Sequence, residues 1–195
     1  MTVRGKFKSL FAILVLLLSS CASIDTTVKI EPGFVGQKYK NICVLANYDV
    51  QIMQYDTEKF FCDALEDRAV RAVQGQELFD EAKYNLDDDS TIAVLKENNI
   101  DACIVVTRGS SNSEINYRIV IQEHDYGAVA SDRSFINHAV EFFISVVDIK
   151  TGKILWSATS KTNCSGDYDT HVRKAMKAIA KDICKRLQRD NVIGR

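Results

Sequence analysis

Two short runs constrain the fold more than anything else in the chain. Asn41–Asn47 (NICVLAN) and Ala102–Thr107 (ACIVVT) are apolar at consecutive positions rather than alternate ones. Side chains of a strand point in turn to opposite faces, so a strand apolar at both parities must be covered on both sides. Between the runs the spacing predicts a helix, capped at Asp56 or Thr57 and reaching about Val73. Phe61, Leu65, Ala69 and Ala72 share one of its faces, and Gly75 ends it. Strand, helical connection and strand form a βαβ-like unit, so the two strands are expected to be parallel. Glu77–Phe79 reads as a short edge strand. Asp87, Asp88, Asp89 and Ser90 precede Thr91–Asn98 and suit a helix N-terminus, where acids face free N–H groups. A calcium loop would need alternating ligands, a central Gly and a closing Glu, which the run lacks.

After Thr107 the pattern changes. Gly109-Ser110-Ser111 reads as a turn between two strands, and Tyr117, Ile119 and Ile121 alternate with Asn116, Arg118, Val120 and Gln122 as a strand with one wet face. Ala139–Ile149 is a longer strand with Val140, Phe142, Ile144 and Val146 on one face. Thr151-Gly152 turns the chain, and Lys153–Thr162 returns as the hairpin partner. Asp167–Arg189 is an amphipathic helix whose stripe is Val172, Met176, Ile179, Ile183 and Leu187. Its other faces carry Arg173, Lys174, Lys177, Lys181, Lys185, Arg186 and Arg189, which read as a solvated basic face, with contact to an anionic surface as the sharper reading. The expected fold class is α+β, with about three helices on a mixed β-sheet of about five strands spanning residues 41–190, then a tail at 191–195.

The first twenty residues are an address rather than part of this fold. Arg4, Lys6 and Lys8 precede a nine-residue apolar block, Leu10–Leu18. A bilayer-spanning helix takes about 20 apolar residues, so the block reads as the core of a cleaved signal peptide. Leu18-Ser19-Ser20-Cys21 then matches the bacterial lipobox, an aliphatic residue and two small ones before a cysteine. The match implies that the mature chain starts at Cys21, the lipid-attachment residue, with diacylglycerol on its sulfur. Ala22 and Ser23 follow where an Asp would favour the inner membrane, so the resemblance points to the outer one. Ala22–Lys40 holds the only proline, Pro32, and reads as a flexible tether of 19 residues, reaching at most about 65 Å.

Charge and cysteines narrow the function. Without the three bases of the signal peptide, 22 of the chain's 25 remain against 26 acids, so no nucleic-acid partner is expected. Cys43, Cys62, Cys103, Cys164 and Cys184 follow the lipidated cysteine. Five is odd, so at least one has no partner within the chain, and spacing leaves the pairing open. No cysteine or histidine pattern has metal-ligand spacing, and no cofactor is expected. His124, His138 and His171 lack such an array, no nucleophile elbow or phosphate loop is present, and no enzyme activity is expected. His124-Asp125 could be an acid–base pair only on a loop. Trp156 could bind a partner or cover a sheet end, and Glu141 could mark an interface.

Two stretches carry a resemblance. Leu95–Thr107 (LKENNIDACIVVT) and Phe142–Lys161 (FFISVVDIKTGKILWSATSK) resemble envelope lipoproteins with a TolB amino-terminal-like domain, the group of CsgG and the LpoB-type activators. The likeness covers Asn41–Arg189. It implies a periplasm-facing lipoprotein held in membrane lipid through acylated Cys21, working as a non-enzymatic interaction or assembly module on another envelope protein or on copies of itself. A ring or secretion-channel subunit is the alternative, and a cell-wall-directed enzyme a more distant one. Two departures matter. Pore-forming members insert two hairpins, whereas here only Gly109–Phe135 has spare length, and its Arg118, Glu123, His124, Asp125 and Arg133 make a poor lipid-facing strand. The long Pro-rich linker of the activators is also missing.

Overall fold

A computed structural model describes residues 24–32, 34, 36, 38–48, 51–79, 85–124, 127–165 and 168–194, with the backbone alone for 110–139 and 164–171. The signal peptide and Cys21 lie outside the described residues. The elements in chain order are β1 (Ile24–Ile30), β2 (Asn41–Asn47), α1 (Gln51–Glu66), β3 (Arg71–Gln74), α2 (Gly75–Leu78), α3 (Asp89–Glu97), β4 (Ala102–His124), β5 (Gly127–Asp148), β6 (Ile154–Ser165) and α4 (Tyr168–Arg189). The strands form one six-stranded sheet in the order β1-β6-β5-β4-β2-β3. β2 is parallel to both β3 and β4, as the βαβ reading requires, and the remaining pairs are antiparallel. The class is α+β with a mixed sheet.

Both parities of β2 and the start of β4 are buried, for different partners. Ile42, Val44, Ala46, Ala102, Ile104 and Val106 meet α1 and α4 through Phe61, Leu65, Ile179, Ile183 and Leu187. Cys43, Leu45 and Cys103 meet α3 through Leu95. The even positions Val140, Phe142, Ile144 and Val146 of β5, with Trp156 and Ala158 of β6, extend the first cluster. Thus α1 and α4 cover one face of the sheet, and α3 covers the other only behind β2 and β4. Phe143 lies on the other face and is 45% exposed.

Several boundaries differ from expectation, each for a local reason. α1 starts at Gln51, and Thr57 sits inside it, its hydroxyl donating 2.7 Å to the Met53 carbonyl rather than capping. The helix stops at Glu66 because Ala69 adopts a left-handed φ of 59° and Val70 N–H bonds back to the Leu65 carbonyl at 3.2 Å. The chain then extends as β3, so the edge strand is Arg71–Gln74, and Glu77–Leu78 belong to the single turn α2. Asp88 caps α3, accepting from Ser90 N–H at 3.1 Å, as the acidic run suggested.

The stretch read as tether also contains structure. Ile24–Ile30 pairs antiparallel with β6, Ile24 opposite Thr162 and Ile30 opposite Trp156. Its alternation of half-buried and exposed residues (Ile24, Thr26 and Val28 against Asp25, Thr27 and Lys29) is that of an edge strand with one covered face. Between Arg108 and Ser111 there is no turn. β4 runs through, and the register shifts so that Gly109 and Ser110 stand opposite Glu141 alone. That is a β-bulge. A Cβ on Gly109 would lie 2.7 Å from Phe143 Cε2 and 3.2 Å from Glu141 Cγ, so the tight crossing is made for glycine.

Candidate functional site

The two ends of the sheet differ in construction. At one end the β5–β6 hairpin turns through Lys150, Thr151 and Gly152, the last at a φ of 68°. Asp148 organises this end. Its Oδ1 accepts from Thr151 N–H at 2.6 Å and from Thr151 Oγ1 at 2.7 Å, while Oδ2 accepts from the Tyr39 hydroxyl at 2.6 Å. Burial would raise the Asp148 pKa, but the bonds from Tyr39 and Thr151 outweigh it and hold the carboxyl below its ordinary value. Tyr39 is pushed upward by its own burial and by the Asp148 carboxylate that its proton serves. Beside them Asp101 Oδ2 accepts from Asn41 N–H at 3.1 Å, tying the start of β2 to the start of β4. A cavity of about 510 Å³ opens here, edged by Lys96, Asn99 and Lys150 with Asp101 and Asp148. Both carboxylates are already committed to protein donors, so this end is a structural knot more than a reactive one.

Two more polar links close the body. Glu58 of α1 is wholly buried, with Oε1 accepting from Ala46 N–H and Oε2 from Gln76 N–H, each at 3.1 Å. Trp156 is also fully buried and donates to Asp190 Oδ2 at 3.0 Å, so it is a core residue rather than a surface aromatic. Burial raises the Asp190 carboxyl, and the bonds from Arg189 and Trp156 bring it below its usual value.

At the opposite end the sheet narrows. Ser165, the last residue of β6, faces Asn137, and from there Ile115–His124 and Gly127–Ile136 continue alone as a two-stranded arm, paired rung by rung from Ile115–Ile136 to His124–Gly127. Ten residues on each strand give an arm of about 33 Å. Because the bulge adds one residue to β4, the odd positions 115, 117, 119 and 121 fall on the face that carries Val140 and Phe142. Ile115, Tyr117, Ile119 and Ile121 therefore share the helix-side face of the sheet, beyond the helices themselves, with Glu123 and, across the ladder, Ser134 and Asp132 at positions of the same face. The other face carries Asn116, Arg118, Val120, Gln122 and His124, with Arg118 directly opposite Arg133 and with Phe135 and Val129 opposite Asn116 and Gln122.

The candidate residues do not converge. His124 stands on the last rung of the arm, ten residues along β5's ladder from the Asn137 rung, roughly 33 Å away. His138 is opposite Cys164, and three residues on, at the other strand parity, Glu141 pairs with Lys161 at 3.1 Å. The side chains of His124, His138, His171 and Cys164 lie outside the described residues. Cys43, Cys62, Cys103 and Cys184 are buried free thiols, and burial pushes Cys184 up to about 12. Cys43 and Cys103 stand in register on neighbouring strands. On α4, Arg173 pairs with Asp56, Arg186 with Asp182 and Arg189 with Asp190. Lys177 lies 6.0 Å over the Phe60 ring. Lys174, Lys181 and Lys185 are exposed and, among the described residues, have no carboxylate partner. The bulge and the Tyr39–Asp148 bond escaped sequence reasoning. The only trace of the bulge was the change of apolar parity between Ile104-Val106 and Ile115–Ile121.

No family model matches the chain, and no curated protein matches it. Solved structures with a similar course of chain include the PelC dodecamer from Paraburkholderia phytofirmans, at 10% identity and a TM-score of 0.47, covering 89% of this chain and 100% of that one. A minor lipoprotein from Acinetobacter baumannii has 9% identity and a TM-score of 0.42, with coverage of 80% and 97%. A lipoprotein from Neisseria meningitidis has 13% identity and a TM-score of 0.44, with coverage of 74% and 98%.

Proposed function

We propose that the chain is a lipoprotein of the bacterial cell envelope, acylated on Cys21, held in the outer membrane and facing the periplasm. Its domain acts as a non-enzymatic interaction or assembly module, on another envelope protein or on copies of itself. The observation that carries this reading is the lipobox Leu18-Ser19-Ser20-Cys21, placed behind a basic start and an apolar block and ending three positions before Ile24, where the sheet begins. The dispersal of His124, His138 and Glu141 along the β5 ladder, with Glu141 engaged by Lys161, supports a non-catalytic role. A subunit of a ring or secretion channel is the second reading, favoured by an arm whose two outer edges offer unpaired backbone to other copies.

Intact mass and membrane fractionation of the wild type and Cys21→Ala test the anchor. The wild type is expected to carry acyl chains and to sediment with outer membranes, and the variant to be released. A wild-type protein of unacylated mass would overturn the reading. Crosslinking in cells then separates the two roles. A discrete partner captured only by the lipidated form supports the module, and a ladder of self-crosslinks supports the ring.

A further inference from the structure

We infer that Cys43 and Cys103 are a disulfide site. In the exported protein their sulfurs are joined across the parallel strands β2 and β4, and the bond is made before α3 closes over them. The inference rests on the reading of the chain as exported to the periplasm, where thiols can be oxidised, and adds to it a covalent brace at a named pair.

The strand register brings the pair together. Cys43 stands opposite Cys103 in the ladder that runs from Ile42–Ala102 to Asn47–Thr107. Neighbouring strands lie about 4.7–4.9 Å apart, inside the separation of about 4.4–6.8 Å that a disulfide spans between Cα atoms. Both side chains are on the same face of the sheet, in the cluster with Leu45, Leu95 and Ile149 under α3. Both residues are wholly buried, and their thiols are within hydrogen-bond reach of each other. Cys62 and Cys184 belong to the cluster on the other face, with α1 and α4. Cys164 is on β6, opposite His138.

The oxidant is a disulfide, carried by an oxidised dithiol protein or by glutathione. One cysteine thiolate attacks it, forming a mixed disulfide and releasing one of its sulfurs. The second thiolate then displaces the other sulfur. The Cys43–Cys103 bond forms, the oxidant's S–S bond breaks, and its two sulfurs leave with the two protons as thiols. Both steps need a thiolate and an open approach. In the folded chain the bond to Cys103 and burial push the Cys43 thiol upward, away from ionisation, and Leu95 covers the pair from α3. Oxidation therefore belongs to folding, before α3 docks, and the same cover then shields the bond from reductants. Parallel strands have no tight hairpin to hold their register and depend on a long crossover. A bond at this rung closes a loop of about 60 residues, long enough to restrict the unfolded chain strongly.

The test is differential thiol labelling of the full-length chain taken from membranes. The protein is denatured in acid, treated with N-ethylmaleimide, reduced, treated with iodoacetamide and cut after Lys and Arg. Cleavage puts Cys43 and Cys103 on separate peptides, 41–59 and 97–108. Both are expected to carry the second label, and an unreduced digest to contain the two peptides linked. Cys62 and Cys184 are expected to carry the first label. Reduction is expected to lower the urea midpoint of the wild type and to leave that of Cys43→Ala with Cys103→Ala unchanged. First label on both Cys43 and Cys103 in protein processed at Cys21, or either one linked to another cysteine, would overturn the site and leave the anchor reading intact. A second arm treats reduced protein with oxidised glutathione, either folded or during refolding from urea. The linked peptides are expected only on refolding, and equally fast linkage in the folded protein would overturn the order of events. Where the mass shows no processing at Cys21, the anchor reading fails, and this refolding arm decides the pair by itself: linked peptides uphold it and their absence overturns it.

Discussion

Asp148 shows how much a single carboxylate can hold when both of its oxygens are engaged. Three donors from two separate segments end on it, and it is only 4% exposed. Since its pKa is lower in the folded chain than in the unfolded one, the stabilisation is present above the unfolded value, about pH 4, and is lost as pH falls through the folded one. Urea midpoints are therefore expected to drop between pH 5 and pH 3, and to drop less in Asp148→Asn. Hydrogen bonds to a charged group contribute about 1.5–3 kcal/mol each and are not additive, so Asp148→Ala is expected to cost about 3 kcal/mol at pH 7. Of this cluster, Asp148, Thr151 and Gly152 were legible in the sequence because turn chemistry is local. Tyr39 was not, since a lone aromatic in an irregular stretch has no period to place it and its partner is distant in the chain.

At the level of elements, the readings that held were those fixed by long periodic patterns or by a local cap. α4 and the parallel pair β2 and β4 are of the first kind, and Asp88 is of the second. Those that moved were decided by single backbone conformations. α1 stops because Ala69 is left-handed, a conformation that costs a residue with a Cβ roughly 1–2 kcal/mol. Ala69→Gly is expected to raise stability by about 0.5–1 kcal/mol, read as a higher urea midpoint at an unchanged slope. β4 stays continuous because Gly109 lets the bulge pass close to Phe143 and Glu141. Gly109→Ala is expected to cost about 1 kcal/mol, the half-exposed Phe143 ring absorbing part of the clash. Without that bulge the arm's apolar positions would fall on the opposite face from the core of β5.

For the whole molecule, stability and surface are divided between the two sides of one helix. Ile183 is wholly buried against the sheet, whereas Lys181 and Lys185 face outward. Ile183→Ala is expected to destabilise by about 3 kcal/mol, and Lys181→Gln with Lys185→Gln by less than about 0.5 kcal/mol, both measured by chemical denaturation. The α+β class and the approximate strand count followed from element order, but the places of β1 and β3 did not, because these edge strands are too short or too mixed in pattern to stand out. β1 has a mechanical consequence. Tension applied to Ile24 along the strand direction would load the β1–β6 ladder in shear, with the rungs from Ile24–Thr162 to Ile30–Trp156 sharing the force at once. Entering from the other end, the same strand would peel open one rung at a time.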